Sequence, residues 1–352
     1  MICYKFRPMI YLRFVIQCCK SQNGGVLFIH LIENVNNLFQ RFNITGRKQS
    51  MNTRKQGIIN GVTAYVLWGI YPLYWRMLQT IHPAEILINR MIWSFVTLFI
   101  VIFGLRLLKT LKETVIGIIK DKKKLALLIL AATFISINWF VFTFAMVSGR
   151  IIEASLGYYI NPIINILVGV VILKERLNKY QSIAAVMVTI AVLYLTIAHG
   201  SFPWIAMVLA FSFSCYGLVK KFIPVDPFFG LFLETALIFP VATLFFTLLL
   251  SNGTSAFLQS NTTIILLLVG AGFITISPLF FFSRAIKQLP LSFIGFLQYI
   301  GPSLNMVIAI FILGENFTRD HLIAFGLIWL ACLLFSTSHL LPGGSTATKK
   351  SS

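Results

Sequence analysis

The sequence predicts an all-α polytopic membrane protein, with ten transmembrane helices arranged as two inverted five-helix repeats. Three observations carry this reading. Hydrophobic residues make up 58% of the 352-residue chain and charged residues only 11%, whereas a soluble domain carries about 25% charged residues. From Gly57 onward the chain is a succession of apolar runs, each close to the ~20 residues that a bilayer-crossing helix needs. A set of residues in the first half recurs in the second at a constant spacing. So few charges cannot coat a soluble fold. A soluble enzyme, a secreted disulfide scaffold and a disordered regulator are therefore excluded.

Residues 1–50 differ in character from the rest of the chain. Their basic residues Lys5, Arg7, Arg13, Lys20, Arg41, Arg47 and Lys48 face the single acid Glu33, and their apolar stretches are too short to span a core of about 30 Å. The segment reads as an amino-terminal extension upstream of a true start at Met51. The ten spans then run at 57–78, 85–105, 125–147, 153–173 and 181–198, which form the first repeat (57–198). The second repeat (202–339) holds 202–219, 228–250, 263–284, 291–313 and 321–339, and a tail completes the chain at 340–352. Helices satisfy their own backbone polar groups in lipid, and the strand alternation of a membrane barrel is absent.

The formal net charge of +19 sits between the spans rather than on one soluble face, so nucleic acid is not an expected partner. If the amino end is cytoplasmic, the inside loops hold fourteen basic residues, from Arg106 through the Lys120–Lys124 cluster to Lys220, Lys221, Arg284 and Lys287. The outside loops hold only Arg76, Arg150 and Arg319. This bias places both termini in the cytoplasm and the protein in the plasma (inner) membrane.

The internal repeat is read from span four against span nine. Tyr159, Pro162, Asn165 and Glu175 match Tyr299, Pro302, Asn305 and Glu315 at an offset of 140. Phe134-Ile-Ser-Ile137 similarly matches Phe273-Ile-Thr-Ile276. An odd number of spans per half inverts the second half in the membrane, a plan that recurs in secondary transporters with a substrate site near the midplane. Pro162 and Pro302 each lack an N–H and free the carbonyls of Tyr158 and Gln298. They are read as two helix breaks lining a central cavity, with Asn161, Asn165 and Asn305 offering amides nearby. The alternative is a structural kink with each Asn as interhelical glue.

Ionisable groups within the spans are expensive and face a cavity or a partner. Glu85, Arg90, Glu153 and Glu234 are the candidate coupling or structural charges, with a proton as candidate coupling ion. The favoured reading for them is a Glu–Arg pair near the headgroups. Trp68, Tyr71, Asn138, Trp139, Tyr158, Tyr216, Gln298 and Tyr299 would suit the substrate cavity, offering stacking faces and hydrogen bonds to a small organic molecule. Asn178 and Gln181, in a cytoplasmic loop, are expected to tolerate replacement. No GxGxxG with a following acid, P-loop, HExxH or calcium loop is present. The five cysteines and five histidines have no ligand spacing. Neither a catalytic residue, a cofactor nor a metal is expected.

Several stretches resemble the RarD-type proteins of the EamA family in the drug/metabolite transporter superfamily. They are Tyr65-Val-Leu-Trp-Gly-Ile-Tyr-Pro72, Pro83-Ala-Glu-Ile-Leu87, Arg90-Met-Ile-Trp-Ser94, Asn138-Trp139, Glu153-Ala-Ser-Leu-Gly-Tyr158, Ala210-Phe-Ser-Phe213 with Tyr216-Gly217, and Gln298-Tyr-Ile-Gly-Pro302. The resemblance covers about residues 52–340. Asn89 departs from it, because the family commonly has His before this Arg. The resemblance implies ten helices in two inverted halves, cytoplasmic termini and permease activity, in a group linked by name to chloramphenicol sensitivity.

The function expected is therefore secondary transport of a small organic metabolite or drug-like compound across the lipid bilayer by alternating access, without enzymatic activity. An intramembrane enzyme on a lipid substrate would show acids and histidines clustered at one membrane face. A sensor or structural subunit would more naturally carry a soluble domain. Neither feature is visible in the chain.

Overall fold

The structure, a computed structural model, describes residues 53–198, 203–312 and 319–338. The amino-terminal extension, the carboxyl tail and Glu315 lie outside the described residues. The elements are α1 (Thr53–Ile70), α2 (Pro72–Arg76), α3 (Pro83–Gly104), α4 (Leu108–Ile119), α5 (Lys122–Val147), α6 (Ile151–Val171) and α7 (Lys179–Ala198). They continue as α8 (Trp204–Phe222), α9 (Pro227–Ser251), α10 (Ala256–Gln259), α11 (Thr262–Gln288), α12 (Leu291–Gln298), α13 (Ile300–Phe311) and α14 (Arg319–Thr337). Among the described residues, seven helices are long and apolar enough to cross a membrane, and two shorter apolar helices lie within α7 and α14. The chain is a multi-pass, all-helical membrane protein.

Helix starts are set by local chemistry. Pro83 and Pro227 occupy first-turn positions, where a missing N–H costs nothing. Asp121, Asp226, Ser255 and Asn261 cap α5, α9, α10 and α11 by accepting from backbone N–H groups of the first turn. The Lys124 backbone N–H, then the Lys124 side chain and the Lys123 N–H, hold the Asp121 carboxyl below its ordinary range.

The structure departs from the sequence reading in three places. Span one is interrupted between α1 and α2, just before Pro72. The two prolines of the repeat behave differently: Pro162 lies inside the continuous helix α6, whereas the chain breaks at Tyr299, three residues before Pro302. The freed Gln298 carbonyl sits at that break, whereas tight packing on both sides of α6 holds Pro162 in line. The segment read as a loop before Lys120 contains α4, whose apolar and charged residues segregate to opposite faces.

Tight approaches assemble the bundle. α11 packs on α1 and α3, and α8 packs on α6 and α5. α9 lies on α3 and α5, α12 on α6, α13 on α1, and α14 on α7. Every residue from 271 to 283 of α11 is buried, so this helix forms the centre. At Gly272 its backbone touches that of α3, where an added Cβ would stand 2.6 Å from the Ser94 nitrogen. Small residues allow such backbone approach between membrane helices. The outer faces expose Phe99 and Phe103 on α3, Phe140 and Phe144 on α5, and Leu244, Phe245 and Leu248 on α9. This is an apolar belt of the kind that lipid would cover.

Candidate functional site

Three polar centres lie within the spans. The first is a knot of amides where α6 meets the end of α12. Asn165 Nδ2 donates to Gln298 Oε1 at 2.9 Å and to Asn161 Oδ1 at 3.2 Å, and Gln298 Nε2 also donates to Asn161 Oδ1. Asn161 Nδ2 ties the knot to α8 through the Ala210 carbonyl at 2.6 Å and Ser214 Oγ at 3.1 Å. All three amides are buried, and Asn165 Oδ1 has no partner among the described residues. Tyr299 O–H donates to the Tyr159 carbonyl at 3.1 Å, which joins the helix break to α6 a second time. Asn305 lies on α13, and its Oδ1 is also unpartnered among the described residues. The structure thus brings Asn165 to Gln298 rather than to Asn305.

The second centre surrounds Arg90 of α3. Its Nε donates to Thr275 Oγ1 of α11 at 3.0 Å. Its guanidinium carbon lies 4.9 Å from the Trp75 ring centroid and 5.4 Å from that of Trp139. Indole faces attract a cation through their quadrupole. The Tyr158 phenol of α6 lies within electrostatic reach. Residues of α2, α3, α5, α6 and α11 therefore converge on one guanidinium, and no carboxylate pairs with it among the described residues.

The third centre is a buried charge pair. Lys220 Nζ meets Glu234 Oε1 at 2.7 Å, and Tyr216 O–H donates to Glu234 Oε2 at 3.0 Å. Each of the three residues is at most 2% exposed. The pairing satisfies both charges, as burial of either alone would not allow.

The Glu–Arg reading is thereby corrected for Glu85 and Arg90. Glu85 Oε1 instead accepts from Ser255 Oγ and the Ala256 N–H, both at 2.7 Å, and so anchors the start of α10. Glu153 does pair with an arginine, Arg150, at 2.6 Å. Glu234 pairs with a lysine that the charge count places in a loop.

Other expected cavity residues make contacts between helices. Asn138 Nδ2 donates to the Leu209 carbonyl and Ser212 Oγ of α8. Trp68 packs among Tyr65, Phe213 and Phe282. The Tyr71 hydroxyl shares a 2.6 Å hydrogen bond with Ser277 Oγ.

Sequence reasoning missed a fourth feature. Glu175, beyond the end of α6, accepts from the N–H groups of Leu291 (2.7 Å) and Ser292 (2.9 Å) and from Ser292 Oγ (2.7 Å). Lys221 Nζ stands 3.5 Å away. The carboxylate thus caps α12 from another helix and locks one end of the bundle. Glu175 and Thr275 both lie inside the repeat matches, so a signal was present. It did not carry the partner each would meet.

The geometry agrees with what the chain is similar to. A protein of Vibrio cholerae named an uncharacterized transporter is 40% identical over 290 residues, which is 82% of this chain and 94% of that protein. The protein RarD of Escherichia coli K12 is 37% identical over 281 residues, or 80% of this chain and 94% of its own. The model of the EamA-like transporter family matches residues 55–197. This chain belongs to the EamA family, as a RarD-type member. One solved crystal structure shares 16% identity and a TM-score of 0.58 with this EamA protein, over 80% of the chain and 97% of its own. That likeness speaks for the fold.

Proposed function

We propose that this EamA protein is a secondary transporter that moves a small organic solute across the bacterial inner membrane by alternating access between two inverted five-helix halves. The carrying observation is the pattern of helix pairing. Numbering the spans in order, span one packs on span eight and span six on span three. These two pairings exchange when every span is advanced by five. Spans two and seven, four and nine, and five and ten pair with each other. A two-fold relation between two five-helix halves produces such a pattern, and rocking of one half on the other would expose a site between them alternately to each side. The transporter named among the relatives supports the same reading.

The route runs along α6. The Tyr158 phenol lies within electrostatic reach of Arg90. The amides Asn161 and Asn165 lie three and seven residues further, about 5–10 Å at 1.5 Å per residue. Glu175 closes the far end. With the cytoplasmic termini that the loop charges favour, the Glu175 lock is on the cytoplasmic side and the Arg90 centre opens outward. Opening to the cytoplasm would break the Glu175 bonds to α12.

The test is flux in liposomes holding the purified full chain, with a panel of small organic acids, amines and neutral metabolites, with and without an imposed proton gradient. Saturable movement of at least one solute is expected, and acceleration by the gradient would identify the proton as coupling ion. Panel-wide flux no faster than in protein-free liposomes would overturn the reading.

A further inference from the structure

We propose that the Arg90 centre binds the carboxylate of a monoanionic, aromatic or otherwise flat apolar solute, which makes organic monocarboxylates the substrate class. The inference rests on the transport reading above and adds the chemistry of the solute to it.

The guanidinium is held but left unneutralised. Thr275 takes its Nε–H at 3.0 Å, and Trp75 and Trp139 flank its faces. The terminal Nη groups have no acceptor among the described residues, and they are not sealed from solvent. Tyr158, within electrostatic reach of the guanidinium, is 46% exposed.

An unpaired charge within a span is costly and marks a functional group by default. A planar guanidinium with one edge fixed and the other free is preorganised for two parallel N–H···O bonds to a carboxylate. A carboxylate also fits the charge. Among the described residues no second Lys or Arg stacks on Trp75 or Trp139, whereas a dianionic phosphate group would recruit more than one cation. The indoles and the phenol supply apolar faces for the body of the solute. Glu85, the nearest carboxylate in sequence, is committed to Ser255 and Ala256 and leaves the fork available.

The test is tryptophan emission of the detergent-purified full chain, titrated with phenylacetate, phenylacetamide and phenylphosphonate. Trp75 and Trp139 report occupancy directly. Phenylacetate is expected to saturate the signal about tenfold more tightly than the neutral amide, because its bond to the arginine is charge-assisted. It should also bind more tightly than the dianionic phosphonate. Arg90→Gln should erase the preference for phenylacetate, and Arg90→Lys should restore part of it. Thr275→Val, which leaves the charge and frees its orientation, should weaken phenylacetate alone, with an unfolding midpoint near that of the parent. Equal binding of phenylacetate and phenylacetamide, tighter binding of phenylphosphonate, absence of saturable phenylacetate binding, or a preference that survives Arg90→Gln would overturn the proposal. Flux of neutral solutes without carboxylate preference would sink this site but not the transport reading. Carboxylate binding without flux of any solute would do the reverse.

Discussion

Lys220 and Glu234 show how a residue's meaning depends on what stands opposite it. Along the chain Lys220 ends a membrane run and precedes a second lysine, so it reads as a loop charge. In the structure its ammonium lies 2.7 Å from Glu234, fully enclosed with Tyr216. Removing one member of a buried pair strands the other. Glu234→Gln should therefore lower stability by about 3–5 kcal/mol, read as a fall in the thermal unfolding midpoint in detergent. The double replacement Lys220→Met with Glu234→Leu should recover much of that loss, since it strands no charge. A midpoint for Glu234→Gln equal to the parent's would mean that the pair is solvated in the membrane.

Helix ends carry the lesson at the scale of elements. Asn178 and Gln181 read as residues of a tolerant polar loop, but they start α7. The Asn178 N–H donates to Gln181 Oε1 and the Gln181 N–H to Asn178 Oδ1, both at 2.9 Å. This reciprocal arrangement is a capping box, which satisfies two orphan donors at once. Asn178→Ala should cost about 1 kcal/mol, and Asn178→Ser less, seen as shifts in denaturant midpoint. Identical midpoints for the two variants would dismiss the cap. The two prolines make the same point. One lies inside the uninterrupted helix α6 and the other comes after a break at Tyr299, because neighbouring helices decide whether the freed carbonyl can be tolerated in line.

For the whole molecule, orientation and the placing of the Glu175 lock stand or fall together. Reporter fusions after Lys123, Lys179 and Lys221 should signal cytoplasm, and fusions after Ser201 and Asn252 the opposite side, because twelve basic residues lie in the first three loops and none in the other two. An external signal at Lys123 would reverse the orientation and place the lock on the outside. The pairing of spans across the two halves would survive that result, since it depends on packing alone.

The class of the protein is legible in the amino-acid order alone, because the cost of putting polar groups into lipid leaves so clear a mark on composition and run length. The family is legible too, through motifs such as Glu153-Ala-Ser-Leu-Gly-Tyr158, and so are the approximate bounds of the spans. Asn161, Asn165 and Gln298 stand out in the chain as a group of polar residues near the paired prolines. Partners emerge only from the packed fold. Glu85 turns to Ser255, 170 residues away, rather than to Arg90 five residues on, and Arg90 meets Trp75, Trp139 and Thr275 instead of a carboxylate. Span length is set locally by bilayer thickness. Pairing is set by which helix faces meet, and that information is spread over the whole chain.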